Sequence, residues 1–317
     1  MAARPVSPDR RRSPLTPALS AEGRGSNAAC DLAHTTVAHA LAAAQQRGLP
    51  RIDAQMLLLH ALGRATHDRA WLIAHDGDAL APGAAARFDA LCARRLRGEP
   101  VAYLTGTKAF HGLTLHVDAR VLDPRDDTET LVDWALDVLP ADRPARVLDL
   151  GTGSGAIALA LAAARPRADV WAVDVSADAL AVARANGQRL GLVVAWHHGH
   201  WLAPVAGQRF DVIVSNPPYI AEGDPHLAAL AHEPRAALAS GPDGLRDLRA
   251  ICAAAPAHLM PGGWLLLEHG HDQATAVRAL LHAAGLGPVQ SRRDLAGIER
   301  CSGGQMTTGT APRPSAQ

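Results

Sequence analysis

Val147-Leu148-Asp149-Leu150-Gly151-Thr152-Gly153-Ser154-Gly155 is the stretch that decides the fold of this chain. Residues 147–150 form an apolar run broken by a single acid, the pattern of a strand buried in a sheet. Three glycines at alternate positions follow, and a small-residue helical run over 156–164 comes next. Strand, glycine turn and helix in that order make the opening of a nucleoside-binding α/β unit. The glycines let the backbone reverse sharply and approach a ligand closely. The spacing is G-x-G-x-G, not the G-x-G-x-x-G of dinucleotide sites, and Asp149 stands just before it. A carboxylate there disfavours a pyrophosphate and suits a ligand that carries an ammonium and a sulfonium.

The same grammar repeats downstream. Residues 170–174, 192–196, 210–215 and 263–268 read as strands; 177–190, 248–259 (with Pro256 as a kink) and 272–284 read as helices. This alternation predicts a parallel sheet covered by helices on both faces. Asp174 ends the second strand, where a carboxylate sits beside the ribose hydroxyls of a nucleoside, with Val175 placed to pack on its base. Nicotinamide cofactors use the same acid, so Asp174 specifies a nucleoside and not a particular donor. Its alternative role, capping the next helix, can be filled by Ser176.

Asn216-Pro217-Pro218-Tyr219 ends the strand at 210–215, on the same sheet edge as the glycine turn. An amide offers an acceptor and two donors, the prolines remove backbone N–H groups and fix the chain direction, and the ring is a flat apolar face with a polar tip. Such a clamp fits a planar –C–NH2 group. With a nucleoside beside it, the reading is methyl transfer to an amide or amino nitrogen.

The rest of the chain frames this centre. Its 317 residues and 48% hydrophobic content allow a sizeable core in one large or two modest domains. Lys and Arg equal Asp and Glu at 31 each, which argues against avid binding to bare nucleic acid. Residues 1–30, rich in Pro, Ser, Arg and Gly, read as a disordered tail, and 309–317 as a second tail. Arg10-Arg11-Arg12 is an RNA-binding arm or, preferably, part of a solvated tail. The N-terminus lacks the apolar run of a secretory signal, and no segment reaches transmembrane length. Cys30, Cys92, Cys252 and Cys301 are scattered, which fits reduced thiols in a cytoplasmic protein. His197, His198 and His200 do not make a metal site, because neighbours on a strand point to opposite faces, so no metal is expected.

Over 31–98, apolar residues such as Val37, Leu41, Ala54, Leu57, Leu58, Phe88 and Cys92 recur mostly at helical spacing, predicting a small helical bundle. Residues 99–126 read as a β-hairpin linker, and 127–308 as the α/β domain, opened by an amphipathic helix that Asp127 or Thr128 caps.

At this point the chain resembles the bacterial protein-(glutamine-N5) methyltransferases that modify class I peptide-chain release factors. The resemblance runs over roughly residues 35–300. It is carried by Gly98-Glu99-Pro100-Val101-Ala102-Tyr103-Leu104-Thr105-Gly106, Phe110-His111-Gly112-Leu113, Pro124-Arg125 with Asp127-Thr128-Glu129, the 149–155 turn, Asp174, 216–219, Asp224-Pro225-His226-Leu227, Glu233-Pro234 and Asp294-Leu295-Ala296-Gly297. It implies a Rossmann-like class I methyltransferase sheet behind a helical bundle that docks the release factor. The implied methyl donor is S-adenosylmethionine, and the implied substrate is the glutamine of a Gly-Gly-Gln loop. By this match Asp149, Gly151, Thr152, Gly153, Ser154, Gly155, Asp174, Trp201 and Asn216 contact the donor. Asn216, Pro217, Pro218 and Tyr219 hold the glutamine, with Asn216, Pro217 and Tyr219 taking the catalytic roles.

The chain departs from the family at two places. His200 precedes Trp201 where the family has an acid, and Asp123 and Asp126 add negative charge near the linker. Rival readings are a ribosomal-protein glutamine methyltransferase, an adenine-N6 nucleic-acid methyltransferase, and a noncatalytic binding module. Glu233 and Glu268 are candidates for acid–base work or for structural pairing. Gly303-Gly304-Gln305 repeats the presumed target sequence; it reads as coincidence in a glycine-containing tail, with self-methylation as the alternative. A monomer without stable nucleic-acid or membrane partners is expected.

Overall fold

The computed structural model describes residues 35–140 and 143–307. The expected tails, Arg10-Arg11-Arg12 and Cys30 lie outside the described residues. The chain opens with α1 (Val37–Gln46), α2 (Arg51–Ala61), α3 (Arg69–Ala74) and α4 (Pro82–Leu96). Thr36 starts α1 by accepting a hydrogen bond from the His39 N–H, and Pro82 starts α4, where its missing N–H costs nothing. Leu57, Leu58 and Leu59 are all fully buried, because α2 packs against α1, α3, α4 and α5 (Val101–Thr105). With Val37, Phe88, Cys92 and Leu104 they form one apolar cluster.

The short helix α5 corrects the expected hairpin. Pro100 fixes the entry, the Thr105 hydroxyl bonds back to the Val101 carbonyl, and Gly106 closes the turn at φ 72. Only β1 (Thr107–Phe110) and β2 (Leu113–His116) form the hairpin, turning at His111 and Gly112, both with positive φ. Then follow α6 (Glu129–Val138), β3 (Arg146–Leu150), α7 (Ala156–Ala164), β4 (Asp169–Asp174), α8 (Ala177–Leu190), β5 (Ala195–His198) and β6 (Phe210–Ser215). The chain continues through α9 (Arg246–Ala254), β7 (Leu259–Glu268), α10 (Ala274–Ala283), β8 (Leu286–Arg293) and β9 (Glu299–Met306).

Strands β3 to β9 form a seven-stranded sheet in the order β5-β4-β3-β6-β7-β9-β8. β3 to β7 pair in parallel; β9 runs antiparallel between β7 and β8. Alternate residues feed opposite layers. Val147 joins Leu131, Trp134 and Leu159 on one face, whereas Leu148 and Leu150 join Leu248, Ile251, Val277 and Leu281 on the other.

Several expected boundaries move. Residues 192–194 are not strand: Gly191 ends α8 in the left-handed conformation and the Leu192 N–H closes on the Gly187 carbonyl. Pro256 does not kink a helix but sits in a 3-10 turn (Ala255–His258) after α9 has ended, so β7 starts at Leu259. The all-parallel sheet is corrected by β8 and β9. Gly303 and Gly304 belong to β9, not to a tail: a Cβ on Gly303 would lie 2.6 Å from Leu266 Cδ2 and 3.0 Å from the Trp134 ring. Gln305 donates to the Gly262 carbonyl and pairs with Trp264, far along β7 from Glu268. It thus sits toward the sheet edge opposite Asn216, which removes the reading of 303–305 as a substrate-like tail.

Asn186 of α8 ties the hairpin to the glycine turn. Its Oδ1 accepts from the His116 N–H at 2.7 Å, and its Nδ2 donates to the carbonyls of His116 (2.9 Å) and Ser154 (3.0 Å). The residue is fully buried, so truncation leaves three polar groups unpaired. Asn186→Ala is expected to lower the unfolding free energy by about 3 kcal/mol in urea titration; a loss below about 0.5 kcal/mol, the range of a neutral surface change, would contradict this account.

Candidate active site

Parallel register aligns the ends of four strands. Leu150 pairs with Val173 and Ser215, and Ser215 pairs with Leu267. The residues just beyond, Gly151, Asp174, Asn216 and Glu268, are therefore delivered to one edge. A cavity of about 340 Å³ opens there. Gly151, Gly153, Asp174, Val175, His200, Trp201, Asn216 and Pro218 line it. Residues 120–122 and Pro234, Ala236 and Ala237 also line it.

The glycine turn is locked from beneath. The Gly151 and Thr152 N–H groups both donate to the Val173 carbonyl, at 2.9 and 3.1 Å. Gly155 has φ 85, and a Cβ there would meet Leu159, Ala183 and Trp196 at 3.0 to 3.2 Å, so only glycine lets α7 start this close to its neighbours. Gly151 lies under the Trp201 ring, which a Cβ would approach to 3.3 Å. Trp201 itself has φ 45, a left-handed conformation that a bulky residue seldom adopts, and its Nε1 is buried without a partner among the described residues.

The two acids of the turn occupy different places. Asp174 is on the cavity wall; its Oδ2 accepts from the Gly153 N–H and its Oδ1 from the Ser176 N–H, both at 2.8 Å. Each oxygen keeps a lone pair for a further donor. Burial raises its pKa, and these N–H groups oppose the rise. Ser176 takes the capping role on α8. Asp149 is fully buried behind the turn, off the cavity wall. Its Oδ2 accepts from the Thr152 hydroxyl (2.6 Å) and the Ala158 N–H (3.2 Å), while Oδ1 has no partner among the described residues. Burial pushes its pKa up to about 7. Thr152, Ser154 and Gly155 likewise sit behind the wall.

Residues 216–219 leave β6 beside the end of β7. Asn216 donates through Nδ2 to the Thr128 hydroxyl at 3.1 Å, and its Oδ1 has no partner among the described residues. Pro217 is buried and Pro218 reaches the cavity. The Tyr219 hydroxyl donates to Glu268 Oε1 at 3.3 Å, and its carbonyl accepts from Gln273 Nε2 at 2.9 Å. Pro217 and Tyr219 adjoin the cavity wall without forming it. Glu268 is 1% exposed, and burial pushes its pKa up to about 7.

Sequence reasoning placed Thr128 as a helix start and within the Asp127-Thr128-Glu129 segment of the resemblance; its contact with Asn216 depends on tertiary folding. The turn at 120–122 and the loop residues Ala236 and Ala237 were missed, because they carry no local chemical signal; Pro234 was named only within Glu233-Pro234. Glu233 is resolved as a tie: it accepts from Arg125 Nη2 at 2.6 Å and from the Asp123 N–H at 3.2 Å, fastening the loop after Tyr219 to the linker. The extra charge at Asp126 is exposed and paired with Lys108 at 2.7 Å. Burial raises the pKa of Asp123, whose Oδ1 has no partner. His200 packs edge-on against Trp201, and His197 stacks on Trp171.

A sheet of this order, with a cavity at the carboxyl ends of its parallel strands, defines a class I methyltransferase. Residues 33–106 match the PrmC N-terminal domain family and residues 128–241 the Methyltransferase small domain family. The chain is 54% identical over 262 residues to the release factor glutamine methyltransferase of Bordetella pertussis, covering 82% of this chain and 96% of that protein. It is 52% identical to the protein of the same name from Xylella fastidiosa, over 84% of this chain and 96% of that one. Among solved structures, the hMettl16 catalytic domain has the same fold at a TM-score of 0.51 and 15% identity, covering 63% of this chain and 77% of that one. The chain belongs to the release factor glutamine methyltransferase family.

Asp149 links the turn to pH. Its folded pKa lies above the ordinary carboxyl value, so the folded chain holds a proton that the unfolded chain releases. Its contribution is therefore present at low pH and is lost as pH rises from about 4 to about 7. Asp149→Asn removes this group, so the stability of the variant relative to wild type should climb across that window in urea titrations. A difference independent of pH would refute it.

Proposed function

We propose that this chain transfers a methyl group from S-adenosylmethionine to the side-chain amide nitrogen of the glutamine in the Gly-Gly-Gln loop of class I release factors. The observation that carries this reading is the Asn216–Thr128 hydrogen bond. With Nδ2 engaged, Asn216 offers Oδ1, an acceptor, toward the substrate side. The Pro217 carbonyl is the second acceptor. Two acceptors select a primary amide over a carboxylate, which would be repelled at both points.

The donor's site fits the chain's own groups. The spare lone pairs of Asp174 suit a ribose diol; Val175 and Trp201 offer apolar surface for a base, with Gly151 and Gly153 giving room for close approach. Asp149 supports Thr152 and α7 from behind. Thr152, Ser154 and Gly155 shape the loop. S-adenosylmethionine supplies a methyl group on a sulfonium, an electrophile with a neutral leaving group.

An amide nitrogen is a weak nucleophile, so the residues' task is alignment. Asn216 Oδ1 and the Pro217 carbonyl hold the two amide hydrogens, Pro218 bounds the pocket, and Tyr219 packs on the amide plane. The lone pair then faces the methyl carbon. A C–N bond forms, the S–CH3 bond breaks, and a nitrogen proton leaves to water. The helices within 31–98 dock the release factor, 99–126 link them, and 127–308 hold donor and glutamine. The protein acts in the cytoplasm as a monomer, without stable nucleic-acid or membrane partners; no helix among the described residues is long and apolar enough to cross a membrane.

Incubation with labelled donor and each purified release factor should label the loop glutamine and leave a glutamine-to-alanine control unlabelled; a labelled ribosomal protein with unlabelled release factors would overturn the substrate. Asn216→Ala should lower kcat by about 100-fold or more, with the donor Kd changed less than about threefold, well under the tenfold that 1.4 kcal/mol represents. A parallel loss of donor binding would contradict the assigned role.

A further inference from the structure

The most unusual group left over from this chemistry is Glu268. It ends β7 directly beside Asn216, is fully buried, and forms no ion pair within 4 Å among the described residues. One oxygen receives the Tyr219 hydroxyl; the other has no hydrogen-bond partner among the described residues. The Thr128 and Tyr219 hydroxyls both oppose the effect of burial on it. Thr128 stands at the N-cap of α6 yet makes no capping bond with its side chain. A threonine there ordinarily caps the helix. Here its hydroxyl, 3% exposed with the rest of the residue, is turned to Asn216.

We propose that Glu268 and Thr128 are positioning residues that set the polarity of the amide clamp. This rests on the reading of Asn216 as the glutamine's acceptor. A carboxylate only accepts hydrogen bonds. The Thr128 hydroxyl accepts from Asn216 Nδ2 at 3.1 Å and favours the charged form of Glu268; a proton aimed at that carboxylate leaves the Thr128 lone pairs to Asn216. Asn216 is thereby held with Oδ1 toward the substrate. The Tyr219 hydroxyl, donating to the same carboxylate, fixes the ring that packs on the amide. One buried acid thus orients both walls of the glutamine site without touching substrate. Protonation turns Glu268 into a donor, which frees the Thr128 proton to point elsewhere and lets the Asn216 amide turn over.

The titratable groups facing Glu268 are Tyr219 after β6, Asp127 beside Thr128, and Arg300 and Cys301 on β9. Asp127 and Arg300 lie 3.6 Å apart. Burial drives Tyr219 and Cys301 well above their ordinary values, so neither ionises near neutrality. Glu268 is pushed up to about 7 by burial.

The test compares wild type, Thr128→Val, Thr128→Ser and Glu268→Gln on an intact release factor. The readouts are kcat across pH 6–9, donor Kd, thermal stability, and the affinity of a Gly-Gly-Gln peptide in the presence of S-adenosylhomocysteine. Thr128→Val keeps the shape and removes the hydroxyl. It should lower kcat by about 100-fold, the scale of a misaligned reacting group, and weaken the peptide by about tenfold, with donor Kd unchanged. Thr128→Ser should restore most of both. Wild-type kcat should fall as pH drops through about 7, and Glu268→Gln should be slow and flat over that range. A Thr128→Val enzyme within twofold of wild type, or a Glu268→Gln enzyme that keeps the pH limb, overturns the proposal. Should Glu268→Gln fail to fold, the Val and Ser pair decides alone. A wild-type chain that leaves the release factor unmodified would instead defeat the substrate reading, whereas an active wild type with indifferent variants would defeat only the positioning role.

Discussion

Parallel register at the centre of the sheet is the constraint on which the site depends. Because Leu150, Val173, Ser215 and Leu267 lie at one level, whatever follows each is brought to the same edge. A glycine turn, a carboxylate, an amide and a buried acid converge there from positions distant in the chain. Shifting β6 by one residue would invert the faces of its side chains and separate Asn216 from Thr128. The apolar layers on both faces, anchored by Trp134 on one side and by Leu148, Leu150 and Ile251 on the other, oppose such a slip.

Much of this architecture was legible because it is locally encoded. The run at 147–155 is strand, turn and helix in adjacent residues, and Asp174 and Asn216 each end a strand that its own apolar pattern announces. The helical spacing over α1, α2 and α4 was likewise visible. What escaped depends on contacts between distant segments. Strands β8 and β9 lack a clear apolar alternation, and Gly303 and Gly304 look like punctuation until Leu266, Trp134 and Leu286 are seen packing where their side chains would be. Residues 101–105 read as strand because five residues cannot display a helical period; Pro100 and Gly106 decide the matter.

The site shows the same division. The residues on the cavity wall, Gly151, Gly153, Asp174, Trp201, Asn216 and Pro218, were nameable from motif and resemblance. Thr128 was named within Asp127-Thr128-Glu129 but given no part in the site, since its local position calls for a cap and only the folded chain puts Asn216 beside it. Asp149 illustrates the converse: its sequence position suggests a direct ligand contact, while its carboxylate braces Thr152 and α7 from behind the wall. Fold and chemistry are joined through such second contacts. Asn186 carries the hairpin to the turn, Glu233 carries the linker to the loop beyond Tyr219, and Glu268 joins β7 to the clamp.

The central claim is geometric: a carboxamide is held by acceptors on 216–217 while a methyl donor lies across the glycine turn. A crystal structure with S-adenosylhomocysteine and a Gly-Gly-Gln peptide tests it most directly. The account predicts both amide hydrogens bonded, one to Asn216 Oδ1 and one to the Pro217 carbonyl, at about 3 Å, with the amide nitrogen turned toward the coenzyme sulfur. A glutamine side chain bound away from Asn216, or a coenzyme remote from Asp174, would contradict it.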